Sequence, residues 1–315
     1  MVERRSDHDV TDRVKVTDTA VVKDEIQRLY QDLYQSEPVQ VLSRSFDDVG
    51  RIFRGEHPRF LPCDTGYHDI QHTLDVTLAM ARLMDGYERF RNGRESLGEE
   101  LFKLGIITAL FHDIGYIREQ SDPAKNGAEY TRIHVSRGAS FLEEYLPKLG
   151  LGDMAPVAAK LIHFTGYEVP TNQIAVPAPI HRLLGCLLGS ADIVAQMADR
   201  CYLEKCRDLL YPEFVVGDIV RRRNPDGSFE LIFASPEDLV FQTPAFYQGA
   251  VKRLNEHLNG VYKYAEKHFG GQNLYLEELC KNIRHAERIA KAHDISLLRR
   301  TLPDQAEAAP EAMAG

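Results

Sequence analysis

The segment Glu99–Ile117 constrains the fold of this chain more than any other feature. Its apolar residues occupy all sides of a helix: Leu101, Phe102, Leu104, Ile106, Ile107, Ala109, Leu110 and Phe111. A helix that is apolar all round must be buried among other elements. The pair His112-Asp113 follows, and Gly115 stands where a helix stop is expected. The sequence therefore predicts a central helix that carries a His-Asp pair into the protein interior.

Further helical patterns predict the class of the fold. His68–Tyr87 has apolar residues on two faces, which again indicates a buried helix. A β signal lies between Phe214 and Ala234, where the turn residues Asn224-Pro225-Asp226-Gly227 separate two apolar runs, as in a hairpin. The predicted fold is an all-α helical bundle with a small β-hairpin. The other predicted helices are Tyr130–Tyr145, Asp153–Phe164, Ala178–Leu210, Phe246–Phe269 and Leu274–Ala290.

The pattern along the chain predicts a single domain. Residues 1–20 are crowded with charges of both signs and are predicted to be disordered, as is the Ala-, Glu- and Pro-rich tail 301–315. Residues 21–300 form the predicted domain, since neither an internal repeat nor a low-complexity linker divides them. Within it we expect the hairpin at about 214–234 and C-terminal helices at about 245–295.

Composition excludes several classes of protein. The net charge of −9 argues against a nucleic-acid duplex as partner, because duplex binding needs a basic surface. No apolar run approaches the length of a membrane span, and the N-terminus lacks the apolar segment of a secretory signal. Five cysteines without a Cys-x-x-Cys pair indicate neither a disulfide framework nor a thiolate zinc site. We therefore expect a cytoplasmic protein with free thiols, while its oligomeric state cannot be predicted.

Two carboxylates in apolar surroundings predict a metal site. Asp113 ends the most hydrophobic helix, and Asp192 lies within the apolar run of residues 187–194. A buried, unpaired carboxylate costs several kcal/mol, and neither segment offers a Lys or Arg in helical register with it. A metal ion held by carboxylates and imidazoles together would remove that cost.

With this metal-site pattern the sequence resembles the HD-domain metal-dependent phosphohydrolase superfamily. Members of that superfamily have an all-helical fold, and the name refers to an adjacent His-Asp pair. Two additional histidines match the extra ligands of its dinuclear members. The resemblance covers roughly residues 60–200 and implies an HD-domain bundle whose core is that region. The residues that carry it are Tyr67-His68-Asp69-x-x-His72, His112-Asp113-Ile114-Gly115, His134, His163 and Ala191-Asp192.

The resemblance implies a ligand set and a reaction. One metal would be held by His72, His112, Asp113 and Asp192. A second would be held with the help of His134 and His163, the Asp113 carboxylate bridging the two ions. An imidazole and carboxylate set suits Mn, Fe, Ni or Zn. A metal-bridging hydroxide would then be the nucleophile that hydrolyses a phosphomonoester or phosphodiester, with a nucleotide as the expected substrate.

His68 is predicted to be a catalytic acid. It lies one helical turn before His72, so both imidazoles share a face. In the cyclic nucleotide phosphodiesterases, which share a Tyr-His-Asn-x-x-His pattern, the first histidine protonates the leaving alkoxide. Here Asp69 replaces the Asn. Three further residues are candidates for contact with a substrate phosphate, with a structural hydrogen bond as the alternative for each: Arg137, Gln196 and Arg200.

Two other functions fit the same ligands. Some dinuclear HD-domain proteins are di-iron oxygenases that cleave a small organic substrate with dioxygen, and the ligand set does not separate them from the hydrolases. A non-catalytic ligand-binding module with a structural metal is the third possibility. The complete ligand set and the acid candidate His68 argue against it.

Overall fold

A computed structural model describes residues 4–303 of the chain. Twelve α-helices in this part of the chain confirm the all-α prediction. Their bounds are α1 Thr19–Tyr34, α2 Gln40–Phe53, α3 Ile70–Arg89, α4 Gly98–Leu110, α5 His134–Tyr145, α6 Ala155–Leu161, α7 Pro179–Ala198, α8 Tyr202–Lys205, α9 Tyr211–Val216, α10 Pro236–Lys252, α11 Tyr264–His268 and α12 Leu274–Ala292. Short 3-10 and π turns link several of them.

Helix α3 is the centre of the bundle. Every residue from Gln71 to Tyr87 is buried, as the two-faced apolar pattern predicted. It packs against α1, α4, α7 and α11, so it is covered on all sides. Among the described residues, no helix combines the length and apolarity needed to cross a bilayer.

The β-hairpin is shorter than predicted. Strands β1 Arg221–Arg223 and β2 Phe229–Leu231 pair antiparallel, with Arg222 opposite Glu230. The predicted first strand began at Phe214, but residues 214–216 end helix α9 instead. Pro212 lies in the first turn of α9, where its ring is compatible with a helix, and the buried Glu213 ties this helix to distant backbone. Tertiary contacts thus outweigh the β propensity of Val215 and Val216.

The N-terminal segment packs on the bundle, so the prediction of disorder for residues 1–20 is wrong for residues 4–20. Asp9 is fully buried, and its carboxylate accepts hydrogen bonds from the backbone of Arg13 and Val14 and from Arg82 Nη2, at 2.5 Å. Burial opposes ionisation of Asp9, but the adjacent Arg82 guanidinium lowers its pKa to about 2. Composition could not reveal this partner. Residues 1–3 and the part of the predicted tail from 304 onwards lie outside the described residues.

We expect Asp9→Ala to lower the free energy of unfolding by about 3–5 kcal/mol, because it leaves the buried Arg82 charge without its partner. Urea unfolding followed by circular dichroism measures the loss. Asp12→Asn, which removes an exposed partner of Arg5, is the control and should cost less than about 1 kcal/mol. An equally small loss for Asp9→Ala would show that the N-terminal segment does not stabilise the bundle.

Candidate metal centre

Three helices bring four predicted ligands together. His72 lies in the first turn of α3, the pair His112-Asp113 follows the end of α4, and Asp192 lies on α7. His72 Nε2 is 3.2 Å from Asp113 Oδ2, 3.4 Å from His112 Nε2 and 3.6 Å from Asp192 Oδ1. His112 Nε2 is 3.1 Å from Asp113 Oδ2 and 4.0 Å from Asp192 Oδ1. Donor atoms this close can surround a single ion, and His72, His112 and Asp113 meet the geometry of a metal-binding group.

The imidazoles are oriented by the backbone. His112 Nδ1 lies 2.8 Å from the carbonyl oxygen of Ala109, and His134 Nδ1 lies 2.7 Å from that of Thr131. A nitrogen facing a carbonyl must donate its proton, which leaves the Nε2 lone pair of each ring free. Metal-ligating histidines are held in this way by their other ring nitrogen. The tautomers therefore suit metal binding.

The charges in the cluster also fit a cation. The pKa of Asp113 is well below its usual value, because the attraction of His112 and His72 outweighs burial. Burial lowers the pKa of His112, but Asp113 and Asp192 raise it to about 9. In the described part of the chain, the ion pairs of both carboxylates are with histidines and not with Lys or Arg. A bound metal ion would supply the positive charge that these buried carboxylates need.

Asp113 also faces a second side. Its other oxygen, Oδ1, is 3.6 Å from His134 Nε2, whereas Oδ2 faces His72 and His112. One carboxylate oxygen toward each side is the arrangement expected of a bridging ligand. His163 lies in a 3-10 turn after α6, and its buried Nδ1 has no hydrogen-bond partner among the described residues. Within residues 4–303 no contact places His163 in the cluster, so its role as a ligand stays a prediction.

Gly115 allows His134 to approach. The turn Ile114–Tyr116 follows Asp113 directly, and a Cβ on Gly115 would lie 1.9 Å from the carbonyl oxygen of His134. Only a residue without a side chain leaves room for the backbone of α5 at this distance. The sequence indicated a helix stop at Gly115, but its structural reason is this close approach.

His68 is held beside the cluster by a buried carboxylate. Its Nδ1 lies 2.5 Å from Glu213 Oε2, and Glu213 Oε1 accepts the backbone N–H groups of Tyr67 and His68 at 2.5 and 3.3 Å. The Thr65 hydroxyl donates to the His68 carbonyl oxygen at 2.9 Å. Burial lowers the pKa of His68, but Glu213 and, less strongly, Asp113 raise it to about 8. The Nδ1 edge of the ring is therefore held toward Glu213, and the ring is readily protonated.

Asp69 has a local structural role. Its side chain caps α3 by accepting the backbone N–H of His72 at 2.9 Å. An Asn could accept the same hydrogen bond, because both residue types are good N-caps. The departure from the Tyr-His-Asn-x-x-His pattern therefore preserves the start of the helix that carries His72.

The three candidate phosphate contacts differ. Arg137 donates from Nε to the Gly115 carbonyl at 2.9 Å and from Nη2 to Asp122 at 2.7 Å. Its guanidinium also lies over the Tyr130 ring. These contacts favour a structural role for Arg137 over contact with a substrate phosphate. Gln196 touches the centre: its Nε2 lies 3.4 Å from Asp192 Oδ1, and its Oε1 accepts from Tyr67. The backbone carbonyl of Arg200 accepts from Arg300, and its contact with substrate stays a prediction.

Glu213 is the residue that sequence analysis missed. It is separated from His68 by 145 positions and directly precedes the apolar stretch that we interpreted as a strand. The available signal was a single acidic residue between Leu210 and Phe214, which on its own is uninformative. Its partner becomes visible only in the fold.

We expect Glu213→Gln to lower turnover by about tenfold to a hundredfold, the usual cost of losing an outer partner of a functional histidine. The amide can still accept from the backbone of Tyr67 but no longer favours protonated His68. Steady-state kinetics over a range of pH measures the loss, and Glu230→Gln, on the exposed hairpin, is the matched control. Wild-type turnover in Glu213→Gln would show that this carboxylate does not assist His68.

Comparison with known proteins shows a family to which this chain belongs and a solved structure with a similar fold. The family model described as Npun_R2479-like matches residues 58–288, a range that includes all the predicted ligands, His68 and Glu213. The phosphodiesterase domain of the RhoPDE fusion protein from the choanoflagellate Salpingoeca rosetta has a similar structure, with a TM-score of 0.53 and 13% identity. The similarity covers 92% of this chain and 96% of that domain, and it shows a shared fold. No curated protein matches the sequence.

Proposed function

We propose that this chain, which belongs to the Npun_R2479-like family, is a metal-dependent phosphohydrolase of the HD-domain type. The observation that carries the proposal is the cluster of His72, His112, Asp113 and Asp192, in which the two histidine Nε2 atoms lie 3.1 to 4.0 Å from the carboxylate oxygens. The resemblance of its fold to a phosphodiesterase domain supports the same reaction class. The proposed substrate is a phosphomonoester or phosphodiester, with a nucleotide expected.

In this proposal, one set of residues holds the metal ions and another residue transfers a proton. His72, His112, Asp113 and Asp192 would hold one divalent ion, and Asp113 Oδ1 with His134, joined by His163, would help hold a second. Bound ions of this kind activate water at neutral pH and stabilise charge on a phosphoryl group. The orientation of the imidazoles by Ala109 and Thr131 keeps their Nε2 atoms available for this role.

His68 would complete the reaction as the general acid. Glu213 holds the proton on Nδ1, and the pKa of about 8 keeps the ring protonated near neutral pH. A positioned acid of this kind gives its proton to a leaving alkoxide, which is a poor leaving group without it.

Metal analysis combined with an activity panel tests the proposal. Protein purified without added metal is examined by mass spectrometry and then assayed with phosphomonoesters and phosphodiesters in the presence of Mn²⁺. We expect two metal ions per chain and phosphoester turnover that a chelator removes. Bound iron with substrate-dependent oxygen uptake and no phosphoester turnover would overturn the proposal in favour of an oxygenase. Metal without either activity would favour a binding module.

We expect His134→Ala and His163→Ala to lose one of two metal ions and to retain the other, because neither residue contributes to the cluster around His72 and His112. Turnover should fall further than the content of the tighter site. Metal content per chain and kcat, measured on the same samples, check this, with the exposed His257→Ala variant as control. Unchanged metal content in both variants would show that the site is mononuclear and these histidines are structural.

A further inference from the structure

The ring of Tyr116 contacts two functional histidines. Its centroid lies 4.2 Å from that of His68 with an interplanar angle of 16°, and 4.4 Å from that of His134 with an angle of 20°. Both pairs are stacked. The acid candidate and the ligand candidate on the second side of Asp113 therefore share one aromatic neighbour.

The position of Tyr116 is itself fixed. Its side chain is only 2% exposed, so neighbouring atoms surround the ring. On the backbone, a Cβ on Gly127 would lie 2.2 Å from the Tyr116 carbonyl oxygen, so the neighbouring segment is packed tightly against this turn. Because the Tyr116 ring is held in place, it can restrict the rotation of the two imidazole rings that stack on it.

Glu213 alone does not determine the plane of the His68 ring. A hydrogen bond to Nδ1 constrains one edge of an imidazole, and rotation about that contact would move Nε2. A stacked neighbour constrains the plane, because it removes the space into which the ring would turn. The hydrogen bond and the stack together define where the Nε2 proton points.

We propose that Tyr116 is a positioning residue that fixes the imidazole planes of His68 and His134 through the faces of its ring. This inference rests on the proposed function, since it assigns Tyr116 to the same proton transfer. The ring is the part that acts, through its two stacked contacts.

Two variants separate the ring from the hydroxyl. Tyr116→Phe keeps both stacks, whereas Tyr116→Leu fills much of the space without an aromatic face. Histidine-labelled, zinc-loaded protein gives NMR signals for both rings, assigned with His68→Gln and His134→Gln. We expect both signals to be shifted by the ring current relative to exposed His257, to persist in Tyr116→Phe and to move in Tyr116→Leu. Unchanged His68 and His134 signals in Tyr116→Leu would overturn the proposal.

Kinetics give the second readout. We expect Tyr116→Leu to lower kcat by roughly tenfold to a hundredfold on an alkyl phosphoester, the cost of misplacing a catalytic group, with little change in KM. The loss should be smaller on a p-nitrophenyl ester, which needs no proton, and Tyr116→Phe should retain activity on both. Equal losses on both substrates, or a Phe variant as impaired as the Leu variant, would contradict a positioning role for the ring.

A wild-type protein without phosphoester turnover would refute the proposed function, while the NMR comparison would still decide whether Tyr116 orients the rings.

Discussion

Asp113→Ala is expected to abolish both metal retention and phosphoester turnover. Asp113 Oδ2 faces His72 and His112 while Oδ1 faces His134, so this one carboxylate serves both sides of the proposed centre. Metal content after gel filtration and turnover with Mn²⁺ measure the two losses. Thermal stability should change much less than activity, because the variant removes a buried anion together with the cation that it holds.

Asp153→Ala is the control for this variant, because Asp153 is an exposed carboxylate in the turn before α6. It should retain wild-type metal content and turnover. Full turnover in metal-depleted Asp113→Ala protein would remove the site assignment. Turnover lost with metal content preserved would instead show that other residues suffice to hold the ions and that Asp113 acts in a later step.

The helical core could be predicted because its signal is local. The segment that forms α4 is apolar all round and α3 has apolar residues on two faces, and these patterns alone require other helices around them. The N-terminal segment could not be predicted, because its order depends on Asp9 meeting Arg82, 73 positions away. The start of the hairpin was wrong for a similar reason, since Glu213 holds the preceding helix through contacts with residues that are distant in sequence.

In the candidate site, too, the residues with a local sequence signal could be predicted, and those that depend on distant contacts could not. Burial and charge indicated Asp113 and Asp192 directly, since a carboxylate in an apolar helix needs a partner. The residues that orient the site, Glu213 and Tyr116, have no such signal: the one is a single acid on a short helix and the other an aromatic in a turn. For Arg137, one turn from His134, the sequence left a phosphate contact and a structural hydrogen bond open, and only the fold shows its hydrogen bonds to Gly115 and Asp122.

His68→Ala should retain its metal ions while kcat on an alkyl phosphoester falls by roughly two to four orders of magnitude, the usual contribution of general acid catalysis. The reason is geometric: Glu213 holds Nδ1, Tyr116 stacks on the ring, and His68 is not among the residues of the metal-binding group. The loss should shrink on a p-nitrophenyl ester, because nitrophenolate leaves without a proton. Parallel assays of the two esters on one preparation, with metal analysis of the same sample, measure the difference.

His57→Ala serves as the control, since His57 lies on the loop before α3, outside the metal-binding group, with its Nδ1 bonded to the Arg59 backbone. It should leave the ratio of the two activities unchanged. Equal losses on both esters in His68→Ala would remove His68 from the acid role and leave Glu213 and Tyr116 as structural neighbours of a structural histidine. A loss of metal would make His68 a ligand or a support for one. Only a leaving-group-dependent loss with metal retained assigns the proton to His68, because the acid contributes to breaking the ester bond and not to assembling the centre.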